Sequence, residues 1–188
     1  MALHLTDPNP SRAARDLDDR ALSEACRWSV AVASAALREW LPREYADAHG
    51  VYRMNAPAVW VGWAAADRRN LDKIQRYADA FCREWYLRRG TYHRSTKGLS
   101  AIIGARKRWA PDVMPVSINR TPPPYTGPAL YRGIHVYRSV YEANRIWLSA
   151  RWDAAAKSGK CPVWSSREGS RIERRAPEWW DGLALEIV

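Results

Sequence analysis

The sequence predicts a mostly α fold: one compact helical domain over residues 1–188, with a long proline-rich loop and a basic, tryptophan-rich tail over about 157–188. Two observations predict this fold. Apolar residues recur at helical spacing along most of the chain, and no strand-like alternation interrupts them. Asparagine, aspartate, proline and glycine stand where helices begin and end. A chain of 188 residues with 47% hydrophobic content also has the size and composition of one globular domain.

The helices follow from capping residues and apolar spacing. Asn9 and Pro10 suit the start of the first helix, Pro42 ends it, and Gly90 suits the end of the second. The stretch Thr121–Tyr125 contains three consecutive prolines and is predicted to be an extended loop. The predicted helices cover about residues 11–41 with a break near 18–19, from 59 or 66 to 89, 99–109 and 135–152, and residues 42–58 form a loop.

The charge of the chain indicates an acidic partner. A net charge of +10 and a pI near 9.9 favour nucleic acid, and most of the 30 basic residues are arginines, which suit bidentate contact with phosphate. Eleven tryptophans and nine tyrosines stand against one phenylalanine. Such aromatic rings pack in helical cores, or they stack on bases, and both interpretations stay open.

Several function classes have no support in the sequence. The 3 cysteines are scattered and the 4 histidines lack metal-ligand spacing, so we expect no metal site and no cofactor. No apolar run is long enough for a membrane span, and no secretory signal is visible. We therefore expect a reduced, cytoplasmic protein, of a bacterial host if the chain is phage-encoded, that does not bind membranes. Its oligomeric state stays open.

The segment of residues 82–95, CREWYLRRGTYHRS, offers the densest set of functional groups. An amphipathic helix ends at Gly90, and an aromatic ring, an imidazole and a guanidinium follow within four residues. A solvated basic helix end would give the same pattern. The functional interpretation is contact with a nucleic-acid backbone by five residues of this segment: Arg88, Arg89, Tyr92, His93 and Arg94.

Glu24 is the acid–base candidate on the first long helix. Arg20 and Trp28 lie four residues before and after it, on the same helical face. A carboxylate between a guanidinium and an aromatic wall would suit chemistry at an extruded base. The alternative is an ordinary surface pair of arginine and glutamate.

Four segments resemble a family of small phage proteins described as pyrimidine-dimer DNA glycosylases, distantly similar to the endonuclease V type. The opening NPSRAA with LDDR resembles the family's "D-P-x-x-A-A…D-K-H", and EWYLRRGTYHRS resembles "E-Y-x-x-R-Y-G-K-x-H-K-S". The Met114-Pro115 loop and the helix of residues 137–152 follow in the family's order. The terminal PEWW is similar to "P-E-W-F".

The resemblance implies a reaction and its residues. In endonuclease V type enzymes the amine of the mature N-terminus attacks the sugar and forms a Schiff base, which would assign the nucleophile to Ala2 after removal of Met1. Arg27 matches a DNA-contacting arginine of the family. The catalytic glutamate and its histidine are out of register, because Trp28 and Ala21 stand at their positions. Glu24, one turn earlier, is the substitute that we expect.

Two classes of function therefore remain open. One is a DNA-base-directed enzyme, either a pyrimidine-dimer or modified-base glycosylase/lyase or a transferase that modifies bases in phage DNA. The other is a non-catalytic DNA-binding protein on the same scaffold. Both imply double-stranded DNA with an extruded base as partner, held by Arg20, Arg27, Arg88, Arg89 and Arg94, with Trp28, Tyr92 or the pair Trp179 and Trp180 as the aromatic group that stacks on the base.

Overall fold

The structure, a computed structural model, describes residues 3–48, 50–51, 55–116, 122–125, 127–128, 139–168 and 174–180. These ranges contain seven helices and no strand, so the prediction of a mostly helical fold is confirmed. The helices are α1 (Pro10–Asp16), α2 (Asp19–Arg38), α3 (Arg43–Ala48), α4 (Ala58–Ala65), α5 (Arg68–Arg89), α6 (Thr96–Val113) and α7 (Val140–Lys157).

The predicted break in the first helical segment is confirmed. The side chain of Asn9 accepts hydrogen bonds from the backbone of Ser11 and Arg12 and starts α1, as its position in the sequence indicated. Leu17 is extended and ends α1. Asp18 then caps α2 by accepting from the backbone of Ala21. The chain therefore turns between α1 and α2, and both helices press apolar faces into the core.

The second predicted helix is two helices. Asp67 is extended and its carboxylate accepts from the backbone of Arg69, which starts α5 and separates it from α4. At the other end, Gly90 takes φ +70° and donates to the carbonyl of Tyr86 at 2.8 Å. Glycine adopts this left-handed conformation without a Cβ penalty, so α5 ends where the sequence predicted.

Three elements differ from the prediction. The predicted loop of residues 42–58 contains α3. Helix α6 is longer than expected at both ends and keeps Pro111 in its last turn. Helix α7 begins at Val140 rather than 135, because the hydroxyl of Ser139 accepts from the backbone of Glu142 and caps it there. The centre of the proline-rich segment, residues 122–125, is not helical, as predicted.

Helix α2 forms the centre of the fold and packs against α4, α5 and α6, while α1 packs against α5. Its buried residues meet the buried faces of its neighbours in one apolar cluster that includes Leu22, Leu37, Leu71, Phe81 and Ile102. Within the described part of the chain, no helix combines the length and apolar character that crossing a membrane requires.

The tail crosses the junction of α1 and α2 and is held there by tryptophans. Trp152 of α7 stacks on Trp179 at 5.4 Å between ring centroids and meets the rings of Trp164 and Trp180 edge-on. The indole of Trp164 donates to the carbonyl of Asp16 at 3.1 Å. The described residues of the tail, 157–168 and 174–180, are therefore part of the hydrophobic packing.

His4 makes stability depend on pH. Its side chain is buried against Trp147, with 4.5 Å between ring centroids, and its Nδ1 has no hydrogen-bond partner among the described residues. Burial, and then the charge of Arg151, lower the pKa of His4 to about 3. The unfolded chain binds a proton near its ordinary pKa of 6.5, so acid favours unfolding.

We expect the free energy of unfolding to fall by about 1.4 kcal/mol per pH unit as the pH drops below about 6, and His4→Leu to remove this part of the slope. Urea unfolding between about pH 7 and pH 5 measures it in both proteins. Burial raises the pKa values of the half-buried Asp16 and the buried Asp18, which acts in the opposite direction at acidic pH. An equal slope in wild type and variant would contradict the prediction.

Candidate nucleic-acid interface

The loop after α5 brings the functional groups of residues 91–95 against α2. Gly90 reverses the chain, and His93 becomes buried beside the first half of α2. Its Nε2 lies 3.2 Å from the hydroxyl oxygen of Ser23, and its Nδ1 accepts the backbone N–H of Ser95 at 3.2 Å. The first bond attaches the loop to α2 and the second orients the ring within the loop, so the residues that flank His93 have defined positions.

The hydrogen bonds of His93 also fix its chemistry. Because Nδ1 accepts from a backbone N–H, the neutral ring carries its proton on Nε2 and donates it to Ser23. Burial, together with the charges of Arg94 and Arg27, lowers the pKa of His93 and favours this neutral form. The ring therefore cannot accept the proton of Ser23, and the pair is not an activated nucleophile. His93 positions the loop.

Two aromatic pairs surround this loop. The edge of Trp85 meets His93 with 5.0 Å between ring centroids. Tyr92 stacks on Tyr86 at 4.7 Å and an interplanar angle of 20°, and 72% of Tyr92 remains exposed. A ring supported on one face and open on the other can accept a further planar group. Among the three aromatic candidates from the sequence, Tyr92 has this geometry.

The other aromatic candidates have different surroundings. Trp28 is half-buried against the core, and the guanidinium of Arg27 lies 4.7 Å from its ring centroid. Trp179 and Trp180 pack on Trp152, and the indole of Trp180 donates to Asp153 at 2.9 Å. The predicted pair therefore serves the packing of the tail, since its rings are occupied by other tryptophans.

The cations of this surface come from α2, α5 and the loop. Arg20 and Arg94 are exposed, and Arg27 is half-buried. Arg89 pairs with Asp19 at 2.8 Å, while its guanidinium lies 5.5 Å from the ring centroid of Trp85 and the side chain is 45% exposed. We call the surface formed by Arg20, Arg27, Arg89, Tyr92 and Arg94 the α2–α5 face.

Glu24 lies at the edge of this face. Its carboxylate is 3.5 Å from Arg20, as the sequence predicted, and also 3.5 Å from Arg151 of α7, and its side chain is one-third exposed. The second guanidinium was not foreseen, because α7 is far from α2 in the sequence. Ala2, the predicted amine nucleophile, lies outside the described residues.

Arg88 is a correction to the predicted set of DNA contacts. Its side chain has no exposed surface. It pairs with Asp19 at 3.0 Å and with Glu84 at 2.9 Å, and it donates to the backbone carbonyls of Leu17 and Arg15 at 2.8 and 3.1 Å. A guanidinium occupied in this way joins α1, α2 and α5 and does not face a phosphate.

The same two carboxylates bind the tail, which sequence reasoning missed. Glu84 accepts two hydrogen bonds from Arg174, at 2.5 and 3.0 Å, and Asp19 accepts from the hydroxyl of Ser165 at 2.6 Å. Together with Arg88 these residues form the buried ion network. Glu84 and Arg88 are four residues apart, a spacing that indicates an ion pair on one face of a helix. No pattern in the sequence indicates the contacts of Arg174 or Ser165.

Comparisons with known proteins give no match: no family model, no curated protein and no solved structure is similar to this chain. The resemblance to the phage glycosylases consequently rests on the motifs themselves. Within the described ranges, no group of three or more histidine, cysteine, aspartate or glutamate side chains is placed to hold a metal ion.

Proposed function

We propose that this protein binds duplex DNA through the α2–α5 face. The observation that carries the proposal is the loop at His93, which holds the exposed Tyr92 and Arg94 beside the arginines of α2 and the end of α5. Cations provide phosphate contacts without sequence preference, and a supported aromatic ring provides a stacking position. The net charge of +10 favours the same partner.

The described residues favour binding over catalysis at this face. The hydrogen bonds of His93 leave Ser23 without a general base. The first candidate is therefore a non-catalytic DNA-binding protein whose sequence motifs resemble those of base-excision enzymes. The second candidate is a base-directed enzyme, and Glu24 favours it, since a partly exposed carboxylate between two guanidiniums could assist attack by the N-terminal amine.

Arg94→Ala is expected to reduce the salt dependence of DNA binding. One lost phosphate contact lowers the slope of log affinity against log salt by about 0.9 for duplex DNA. Adding Arg89→Ala should lower the magnitude of the slope further, but by less than about 0.9, because Arg89 already pairs with Asp19. Fluorescence anisotropy with a 5′-labelled duplex at four salt concentrations gives these slopes.

Arg43→Ala is the matched control for this series, because the side chain is 86% exposed and follows the far end of α2. It should leave the slope within error of the wild type. A slope that stays unchanged in Arg94→Ala would remove the loop from the interface, and wild-type protein without measurable affinity at low salt would overturn the proposed function.

Tyr92→Ala is expected to weaken binding to duplex DNA that carries a bulged base by about 5- to 150-fold, the effect of about 1–3 kcal/mol of stacking. Binding to the fully paired duplex should change less, because its bases stay stacked on one another. Tyr92→Phe keeps the ring and serves as the control. Equal losses on both duplexes would show that Tyr92 does not stack on an extruded base.

Borohydride trapping separates the two candidates. A glycosylase/lyase forms a Schiff base with an abasic-site duplex, and reduction makes it a covalent adduct. An adduct that disappears when the N-terminal amine is acetylated, and decreases in Glu24→Gln, would support the enzyme. Salt-dependent binding without an adduct would leave the non-catalytic DNA-binding protein.

A further inference from the structure

A second cationic site lies outside the α2–α5 face. A cavity of about 340 Å³ opens between α1, α7 and residues 174–179. Its lining contains five arginines and three carboxylates, which leaves an excess of positive charge. The arginines are Arg12, Arg15, Arg145, Arg174 and Arg175.

Three of these arginines already have carboxylate partners. Arg145 pairs with Asp7 at 3.2 Å, and Arg174 pairs with Glu84 at 2.5 Å. Arg175 lies 3.6 Å from Glu178, but both side chains are more than 80% exposed, so this pair contributes little. Among the described residues, no ion pair engages the side chains of Arg12 and Arg15. They stand three residues apart on one face of α1, they are exposed, and both line the cavity.

The back wall of the cavity is rigid. The guanidinium of Arg145 donates to the carbonyl of Thr6 at 2.7 Å and lies 5.7 Å from the ring centroid of Trp179. Trp179 in turn stacks on the buried Trp152. A guanidinium held in this way needs little further ordering when an anion binds, which lowers the entropic cost of binding.

The cavity and the α2–α5 face are connected through the buried ion network. Arg88 donates to the backbone carbonyl of Arg15 at 3.1 Å and pairs with Asp19, which in turn pairs with Arg89 of the face. The network therefore joins the backbone of Arg15, which lines the cavity, to Arg89 of the face. A polyanion that contacts both sites would reach Arg12 and Arg15 at one end and Arg89 and Arg94 at the other, and between them it would pass over the tail that covers the junction.

We propose that this cavity binds a phosphate group of the DNA that occupies the α2–α5 face, through the exposed Arg12 and Arg15 and through Arg145 at its back wall. This inference rests on the proposed function. The forked donors of arginine match the geometry of a phosphate group, and phosphate is the anion that DNA supplies. The site adds a contact with the DNA backbone outside the loop at His93.

The test compares salt slopes of Arg12→Ala/Arg15→Ala with those of Arg43→Ala/Arg108→Ala, a control that removes two exposed charges elsewhere. The same 5′-labelled duplex is used at the same four salt concentrations. The proposal expects the magnitude of the slope to fall by about 0.9 in the first variant, because one phosphate contact is lost, and to stay unchanged in the control. Equal slopes in wild type and the first variant would overturn it, while the effect of Arg94→Ala would still support the face.

A second measurement keeps the two proposals distinguishable if wild-type protein does not bind DNA. Inorganic pyrophosphate, used as a free source of the same groups, should raise the unfolding temperature of the wild type, as any ligand of the native state does. The rise should be lost in Arg12→Ala/Arg15→Ala and kept in the control. A rise of that pattern would support a site for phosphate groups in the cavity, and no rise in the wild type would overturn that site.

Discussion

Arg88→Ala is expected to lower the free energy of unfolding by about 3–5 kcal/mol. The substitution removes a guanidinium that pairs with the buried carboxylates of Asp19 and Glu84. It also removes the hydrogen-bond donors to the backbone carbonyls of Leu17 and Arg15. Uncompensated buried charge and unpaired carbonyls both lower stability. The whole free energy of unfolding of a domain of this size is about 5–15 kcal/mol, so the expected loss is a large part of it.

Urea unfolding, monitored by tryptophan fluorescence, measures this loss of stability. Arg83→Ala, on the exposed side of the same helix, should change stability by no more than about 0.5 kcal/mol. Arg88→Lys keeps the charge but not the planar fork, so we expect an intermediate value. A loss below about 1 kcal/mol in Arg88→Ala would show that the buried ion network does not stabilise the fold.

Trp152→Ala is expected to cost about 3–5 kcal/mol as well, through the cavity it leaves. Only 2% of Trp152 is exposed, and its ring contacts those of Trp164, Trp179 and Trp180. Its indole also donates to the carboxylate of Asp18 at 3.1 Å, the residue that caps α2. The substitution therefore weakens both the packing of the tail and the start of the central helix.

Limited proteolysis adds a local readout to the urea measurement. In Trp152→Ala the tail should be cleaved faster than in the wild type, because its tryptophans lose the ring on which they pack. Trp152→Phe keeps most of the apolar packing and loses the N–H, so it should fall between the two proteins. Unchanged cleavage of the tail in Trp152→Ala would contradict its role as the anchor.

Local signals in the sequence account for most of the fold. Asn9 and Gly90 act at helix ends as predicted, because capping depends on groups within a few residues. The start of α7 was misplaced because apolar spacing continues before Ser139, and the cap there decides the boundary. The sequence left the separation of α4 from α5 open, and the extended Asp67 resolves it.

The site was predictable in part. The turn at Gly90 correctly placed Tyr92, His93 and Arg94 together, since they follow one another in the chain. Arg88 and Arg89 were treated alike, although neighbouring residues on a helix point about 100° apart. Tyr77, Phe81 and Glu84 precede Arg88 at spacings of four, three and four, which indicated its buried face. The contacts of Arg174 and Arg151 depend on tertiary packing, so no local pattern revealed them.

The buried ion network has a consequence for the biosynthesis of the molecule. Asp19 and Glu84 emerge from the ribosome well before Ser165 and Arg174, which donate hydrogen bonds to these two carboxylates. Until that point the nascent chain must keep two carboxylates near its interior with only part of their final partners. The junction of α1 and α2 therefore closes late in synthesis, and substitutions at Arg174 should reduce the yield of folded protein in cells more than they reduce the affinity of the purified protein for DNA.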